Sequence, residues 1–95
     1  MNINIYGSTG IIGKKTLSLI DKNFPNLKVD LLCAKSNLKL LTKQIQKYKP
    51  KYAFLYDHEK ITNINYKIGK TQFLNLDELS RYALSLPTIS GVYLI

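Results

Sequence analysis

Apolar and polar residues alternate over Ile3-Asn4-Ile5-Tyr6, a period of two that predicts a short strand almost at the N-terminus. The period then changes. Gly13, Thr16, Leu17, Ile20 and Phe24 recur at i, i+3, i+4, i+7 and i+11, which predicts the inner face of a helix. That helix ends near Lys22-Asn23, with Phe24-Pro25-Asn26 as its stop signal. Leu27 to Ala34 reads as a second strand whose last four residues are all apolar, as in a strand covered on both faces. After the turn Lys35-Ser36-Asn37, Leu38, Leu41, Ile45 and Tyr48 form the apolar stripe of a second helix, Leu38 to Lys49, with lysines opposite. Ser36 or Asn37 can cap it, and Pro50 ends it. Tyr52-Ala53-Phe54-Leu55-Tyr56 is then a third strand.

The pattern beyond Tyr56 is weaker. Ile61 to Tyr66 has the look of a short helix and Gln72-Phe73-Leu74 of a brief edge strand. Asp77 can cap a helix running to about Leu86, with Leu79, Ala83 and Leu86 inward and Pro87 as its stop. Gly91 to Ile95 reads as the beginning of another strand.

Strand, helix, strand, helix, strand in this order gives parallel strands joined by right-handed crossovers. The expectation is an α/β fold: one domain over residues 1–95, with a Rossmann-like parallel sheet and flanking helices, incomplete at the C-terminus. Its key segment is Gly7-Ser8-Thr9-Gly10-Ile11-Ile12-Gly13, between the first strand and the first helix. Gly7 lets the chain leave the strand sharply. Gly10 lets the backbone approach a pyrophosphate, and Gly13 lets the helix lie close to the sheet. The first free N–H groups of the helix would face the anion, aided by the positive end of its dipole, and Ser8 and Thr9 could add hydroxyl donors. The spacing is G-x-x-G-x-x-G, not the regular G-x-G-x-x-G, so context carries the motif. The competing reading is a tight strand–helix turn with no ligand.

Composition narrows the function classes. The net charge is +8, from fourteen basic residues against six acidic ones, and every basic residue except Arg81 is lysine. Such a field attracts phosphates. The lysines are scattered, however, and no block reaches five like charges, so a solvated surface is favoured over a nucleic-acid groove. The single cysteine, Cys33, excludes an internal disulfide, fits a reducing compartment and falls in an apolar run where a small buried residue belongs. No apolar run approaches the length of a membrane span. The expected location is cytoplasmic.

The turn after the second strand is where a dinucleotide fold meets the adenine ribose. NAD-preferring sites place a carboxylate there, about 20 residues past the glycines. Here the turn is Lys35-Ser36-Asn37. An ammonium with small polar donors suits a 2′-phosphate, which makes NADPH the expected cofactor, although Ser and Asn are also ordinary helix caps. Other candidates carry less. Gly69-Lys70-Thr71 resembles a P-loop tail, but Ile64 stands where that motif needs its first glycine. His58 has no partner cluster, and the six acids fall on separate elements, so no metal site is evident. The tyrosines, including Tyr48, Tyr52 and Tyr56, read as packing residues.

These residues together resemble the N-terminal part of the 1-deoxy-D-xylulose 5-phosphate reductoisomerase family. Gly7 to Gly13 is similar to that family's Gly-Ser-Thr-Gly-Ser-Ile-Gly signature, with Ile11 in place of the usual serine. Ala34 to Asn37, Leu41, Gln44-Ile45 and Lys49-Pro50-Lys51-Tyr52 follow its second helix and third strand, and the similarity spans about residues 3 to 80. The lysine of the turn is shifted by one place from the family's Ala-Gly-Lys-Asn. The resemblance implies an NADPH-dependent oxidoreductase of non-mevalonate isoprenoid biosynthesis. Family members isomerise and reduce a sugar phosphate to 2-C-methyl-D-erythritol 4-phosphate, as homodimers, with a divalent metal (Mg or Mn). It implies cofactor contacts at Gly7, Ser8, Thr9, Gly10, Ile11 and Ile12 on the pyrophosphate side and at Lys35, Ser36 and Asn37 near the 2′-phosphate. The family's metal, substrate and catalytic-loop residues have no counterpart in this chain, so no catalytic residue carries over. The expectation is therefore a truncated cofactor-binding region, inactive alone. The alternative is a non-catalytic basic Rossmann-like remnant or interaction module; a third reading is a small NAD(P)-binding domain of an unrelated dehydrogenase.

Overall fold

A computed structural model describes residues 2–57, 66–85 and 91–93, the side chains of 83–85 and 91–93 excepted. Its elements are β1 (Asn2–Tyr6), α1 (Ile11–Asn23), β2 (Lys28–Ala34), α2 (Leu38–Tyr48), β3 (Tyr52–Leu55), β4 (Lys67–Ile68), β5 (Thr71–Phe73), α3 (Leu76–Ser85) and β6 (Gly91–Tyr93). They build a six-stranded sheet in the order β4-β5-β3-β2-β1-β6. All neighbouring strands are parallel except β4 and β5. The Rossmann-like α/β reading is thus met, and β1 lies inside the sheet with β2 on one side and β6 on the other. That change of direction beside β1 opens a crevice at the carboxyl ends of the strands, where open α/β sheets take their ligands.

Each sheet face has its own core. Ile5, Leu32, Ala34, Ala53 and Leu55 pack against Leu17 and Ile20 of α1 and Leu41 and Ile45 of α2. Leu31, Cys33, Phe54 and Leu74 form the other core, against Leu79 and Tyr82 of α3. The alternation holds from Leu31 to Ala34 and breaks just before it. Ile3 pairs with Val29 and Asn4 with Leu31, so Asp30 is an extra residue in the ladder. This bulge sends Val29 and Leu31 to opposite faces although they are two residues apart. The four buried residues Leu31 to Ala34 confirm the two-sided burial read from their apolar run.

Several sequence expectations need correction. Phe24, placed on the inner face of the first helix, lies past its end as the C-cap and is 60% exposed. Tyr56 lies beyond β3 and is also exposed, whereas Tyr48 and Tyr52 do pack against the cores. The strand predicted over Gln72–Leu74 is not at the edge. It is β5, hydrogen-bonded between β3 and β4. The hairpin between β4 and β5 turns on Gly69, whose φ of 59° is the conformation glycine supplies most readily at the first position of a two-residue loop. The cap of α3 is Asn75, not Asp77: its Oδ1 accepts from the Glu78 N–H at 2.8 Å, and Glu78 Oε1 accepts from the Asn75 N–H at 3.1 Å. The two residues form a reciprocal capping box. Of the helix expected over Ile61 to Tyr66, Tyr66 is described and lies outside any helix, just before β4; the rest of it, with the expectations for His58, for Ala83 and Leu86 as inward side chains and for Pro87, lies outside the described residues.

Burial pushes the Cys33 thiol up to about 12, so the native thiolate fraction near neutral pH is negligible. A native sample should resist thiol alkylation at pH 7 and become labelled on denaturation. Rapid labelling without unfolding would contradict the burial.

Candidate cofactor-binding site

At the end of β1 the chain bends at Gly7, whose φ of 89° is the left-handed conformation that glycine takes without strain. The N–H groups of Gly7 and Ser8 both donate to the Cys33 carbonyl, at 2.8 and 2.9 Å, which fastens the bend to β2. The Gly10 N–H donates back to the Gly7 carbonyl at 3.1 Å and closes a β-turn with Ser8 and Thr9 at its centre. Helix α1 starts at once, with Gly10 as its N-cap in extended conformation and no side-chain cap. The three residues that open the helix, Ile11, Ile12 and Gly13, carry N–H groups with no intrahelical partner. No acidic residue occupies the first turn.

Gly13 is the closest approach in this corner. A Cβ added there would lie 2.0 Å from the Gly7 carbonyl oxygen and 2.8 Å from Ser8 Cα. Gly10 is different: it is exposed, and a Cβ would come no nearer than 3.4 Å to the same oxygen, an ordinary contact. Gly13 is therefore required by the protein's own packing, while the absence of a side chain at Gly10 leaves open space beside the turn.

The second segment, Lys35-Ser36-Asn37, is exposed and lies at the carboxyl end of β2. It is fixed from two directions. The Asp57 N–H donates to the Lys35 carbonyl at 2.8 Å, and the Thr9 hydroxyl donates to the Ser36 carbonyl at 3.0 Å. Asn37 takes the left-handed conformation (φ 72°, ψ 66°), and its Oδ1 accepts from the Leu40 N–H at 3.2 Å as the cap of α2. Of the two candidate caps, Asn37 is the one used; its side-chain NH2 keeps its donors uncommitted. The first turn of α2 also lacks an acidic residue.

The structure thus brings together the residues singled out from sequence, with distinct placements. Thr9, Gly10, Ile11 and Ile12 line the outer side of the bend, with Ile11 and Ile12 72% and 58% exposed. Ser8 is fully buried and its hydroxyl has no hydrogen-bond partner, so it faces inward. The Thr9 hydroxyl is committed to Ser36. What this corner offers an anion is backbone N–H, not side-chain hydroxyl. One buried polar residue at its back escaped the sequence reading of the site: Gln44, whose Nε2 donates to the Ser8 carbonyl at 2.7 Å. The signal was a polar residue between Leu41 and Ile45, on the inner side of an apolar stripe.

Among the described residues, no three His, Cys, Asp or Glu side chains come together as metal ligands. No described helix is long and apolar enough to cross a membrane. A cavity of about 550 Å³ lies elsewhere, between the end of α2 and the β4–β5 hairpin, near Lys49 and Lys70. It is not part of the crevice at the carboxyl ends.

Comparison with known proteins agrees with this geometry. A family profile described as 1-deoxy-D-xylulose 5-phosphate reductoisomerase matches residues 3–83. The reductoisomerase of Lachnoclostridium phytofermentans is 41% identical over 67 residues, 70% of this chain and 17% of that protein. That of Persephonella marina is 35% identical over 88 residues, 93% of this chain and 23% of the relative. The solved structure of the Zymomonas mobilis reductoisomerase in complex with NADPH superposes with a TM-score of 0.72 at 25% identity, covering 88% of this chain and 23% of that one. The chain spans about a fifth of the length of the relatives it matches. With a profile match over most of its residues and a matching fold, this chain belongs to the 1-deoxy-D-xylulose 5-phosphate reductoisomerase family.

Proposed function

We propose that these 95 residues bind NADPH as the N-terminal cofactor-binding region of an enzyme with the family's activity. That activity is the isomerisation and NADPH-dependent reduction of 1-deoxy-D-xylulose 5-phosphate to 2-C-methyl-D-erythritol 4-phosphate, in isoprenoid biosynthesis. The observation that carries the reading is the uncapped N-terminus of α1 beside a turn held open at Gly10, at the crevice next to β1. The backbone N–H groups of Thr9, Ile11 and Ile12 would hold the pyrophosphate, while Gly7 and Ser8 shape the bend that carries them. Lys35, Ser36 and the free Asn37 amide would hold the 2′-phosphate. When bound, NADPH supplies the hydride. The chain's own residues bind and orient its phosphates.

The described residues offer no donor set for a divalent metal, and no step through one is assigned to them. In this reading the metal and the sugar phosphate are handled by other parts of the family enzyme, and these residues alone do not turn over substrate. A cytoplasmic location belongs to the same reading, supported by a single buried thiol kept protonated.

Calorimetric titration of the folded chain should show tighter binding of NADPH than of NADH. Lys35→Ala should narrow that preference by roughly three- to tenfold, the range for one partly exposed charge-assisted contact. Absent binding, or equal binding of the two nucleotides, would overturn the cofactor assignment. Salt-dependent binding to random nucleic acid, unaffected by NADPH, would favour a basic interaction module instead.

The two glycines separate fold from ligand. Gly13→Ala should destabilise the chain by about 3 kcal/mol or more, because the added methyl meets backbone and not a yielding side chain. Gly10→Ala should unfold within about 1 kcal/mol of wild type, since its backbone suits alanine, yet lose most NADPH affinity. Denaturant titrations paired with binding isotherms measure both.

A further inference from the structure

Among the described residues, Gln44 is the side chain that hydrogen-bonds to the glycine turn's backbone from across the fold. It comes from α2, thirty-six positions along the chain, and its Nε2 donates to the Ser8 carbonyl in a buried hydrogen bond. Ser8 is fully buried and Gln44 is 7% exposed. The acceptor is the carbonyl of the central peptide of the Gly7–Gly10 turn, and the N–H of that same peptide belongs to Thr9. The chain has no cis peptide among its described residues. In a planar trans peptide the carbonyl and the N–H point to opposite sides. Drawing the Ser8 oxygen inward therefore turns the Thr9 N–H outward, to the side where Gly10 leaves room. No acceptor in the described structure takes that N–H.

The alternative orientation is a flip of this one peptide, the change that separates the two common β-turn types. It would aim the Ser8 oxygen at the anion and withdraw the Thr9 donor. It would also require positive φ at Thr9, which its branched Cβ opposes; none of the described residues but Asn37, Lys49 and two glycines has positive φ. Gln44 is a costly way merely to fill the core, because its Oε1 is buried without a partner. A methionine would fill the same volume with no orphaned oxygen.

We propose that Gln44 is a positioning residue for the cofactor's pyrophosphate: its side-chain amide locks the Ser8–Thr9 peptide so that the Thr9 N–H faces the anion. The inference rests on the NADPH reading above and adds to it a residue that does not touch the ligand. Because α2 begins at the Lys35–Asn37 turn, and the Thr9 hydroxyl is bonded to Ser36, the same helix sets both phosphate-binding segments relative to each other.

The test uses the full 95-residue chain, isotopically labelled, with NADPH as the probe. In the wild type, the Thr9, Ile11 and Ile12 amide signals should shift on titration. Gln44→Met and Gln44→Leu, neither of which can donate to the Ser8 carbonyl, should bind NADPH about tenfold more weakly. In both, the Thr9 response should be lost while the Ile11 and Ile12 responses persist; general destabilisation would weaken all three alike. Unchanged affinity with an unchanged Thr9 response would overturn the proposal while leaving the cofactor reading intact. If wild type does not bind NADPH, that reading fails, and the ligand-free spectra decide the lock. A displaced Ser8 carbonyl and Thr9 amide signal in Gln44→Met supports it, and unmoved signals refute it. Should both variants fail to fold, the wild type decides: Ile11 and Ile12 responding to NADPH without Thr9 would refute the lock, and all three responding would support it.

Discussion

The closeness of Gly13 to the Gly7 carbonyl is the constraint on which this corner depends. With no side chain at Gly13, α1 can begin at Ile11, directly after the turn, and lie over the end of β1. The Cys33 carbonyl answers from β2 by taking two N–H groups of the bend. The turn is thus gripped between a helix and a strand, both of which belong to the cores. This is how a short, polar, glycine-rich segment is kept in one shape: the N–H groups of Gly7, Ser8 and Gly10 are bonded to protein carbonyls, and those of Thr9, Ile11 and Ile12 have no acceptor among the described residues. A bend with every amide satisfied internally would have nothing left for an anion.

Much of this was legible in sequence because local geometry and burial agree there. The change from period two to the helical period between Tyr6 and Gly13 marks the strand–helix corner. The apolar run at Leu31–Ala34 gives away a central strand. The misreadings occur where a tertiary partner decides. Phe24 fits the helical spacing, but the helix stops one residue earlier, before Pro25. Thr71–Phe73 is too short to announce two strand neighbours, and its burial comes from β3 and from Tyr66, whose ring meets Phe73 edge-on at 5.2 Å. Asn75 outranks Asp77 as a cap because Glu78 lies three residues after it and can close the reciprocal box. The Asp30 bulge has no local signature at all; it is visible only when β1 is laid beside β2.

The candidate site divides in the same way. The glycine spacing and the carboxylate-free turn at Lys35–Asn37 can be read from residue types alone. Which atoms face outward cannot. Ser8 and Thr9 look like hydroxyl donors in sequence, yet one hydroxyl is buried and the other is bonded to Ser36. Gln44 reads as an interruption of an apolar stripe. Its meaning appears only once α2 is folded back over the turn.

Charge leads to the same distinction between composition and placement. The lysines are spread over the chain, and their sum describes a surface, not a site. What distinguishes the crevice is local: two helix N-termini, α1 and α2, open toward the carboxyl end of the sheet with no carboxylate in either first turn. The acids that are fixed in ion pairs sit elsewhere. Asp21 meets Lys47 at 2.7 Å across the outer sides of α1 and α2, and Asp77 meets Arg81 on α3. Exposed pairs of this kind add little to stability. At the sheet's carboxyl end neither first turn carries a carboxylate, where helix dipoles act most strongly, and Asp57 is the acid beside the Lys35 turn, its N–H on the Lys35 carbonyl. An anion arriving there meets oriented N–H groups that cost no further ordering, because the bend is already held by Cys33, Gly13 and Gln44.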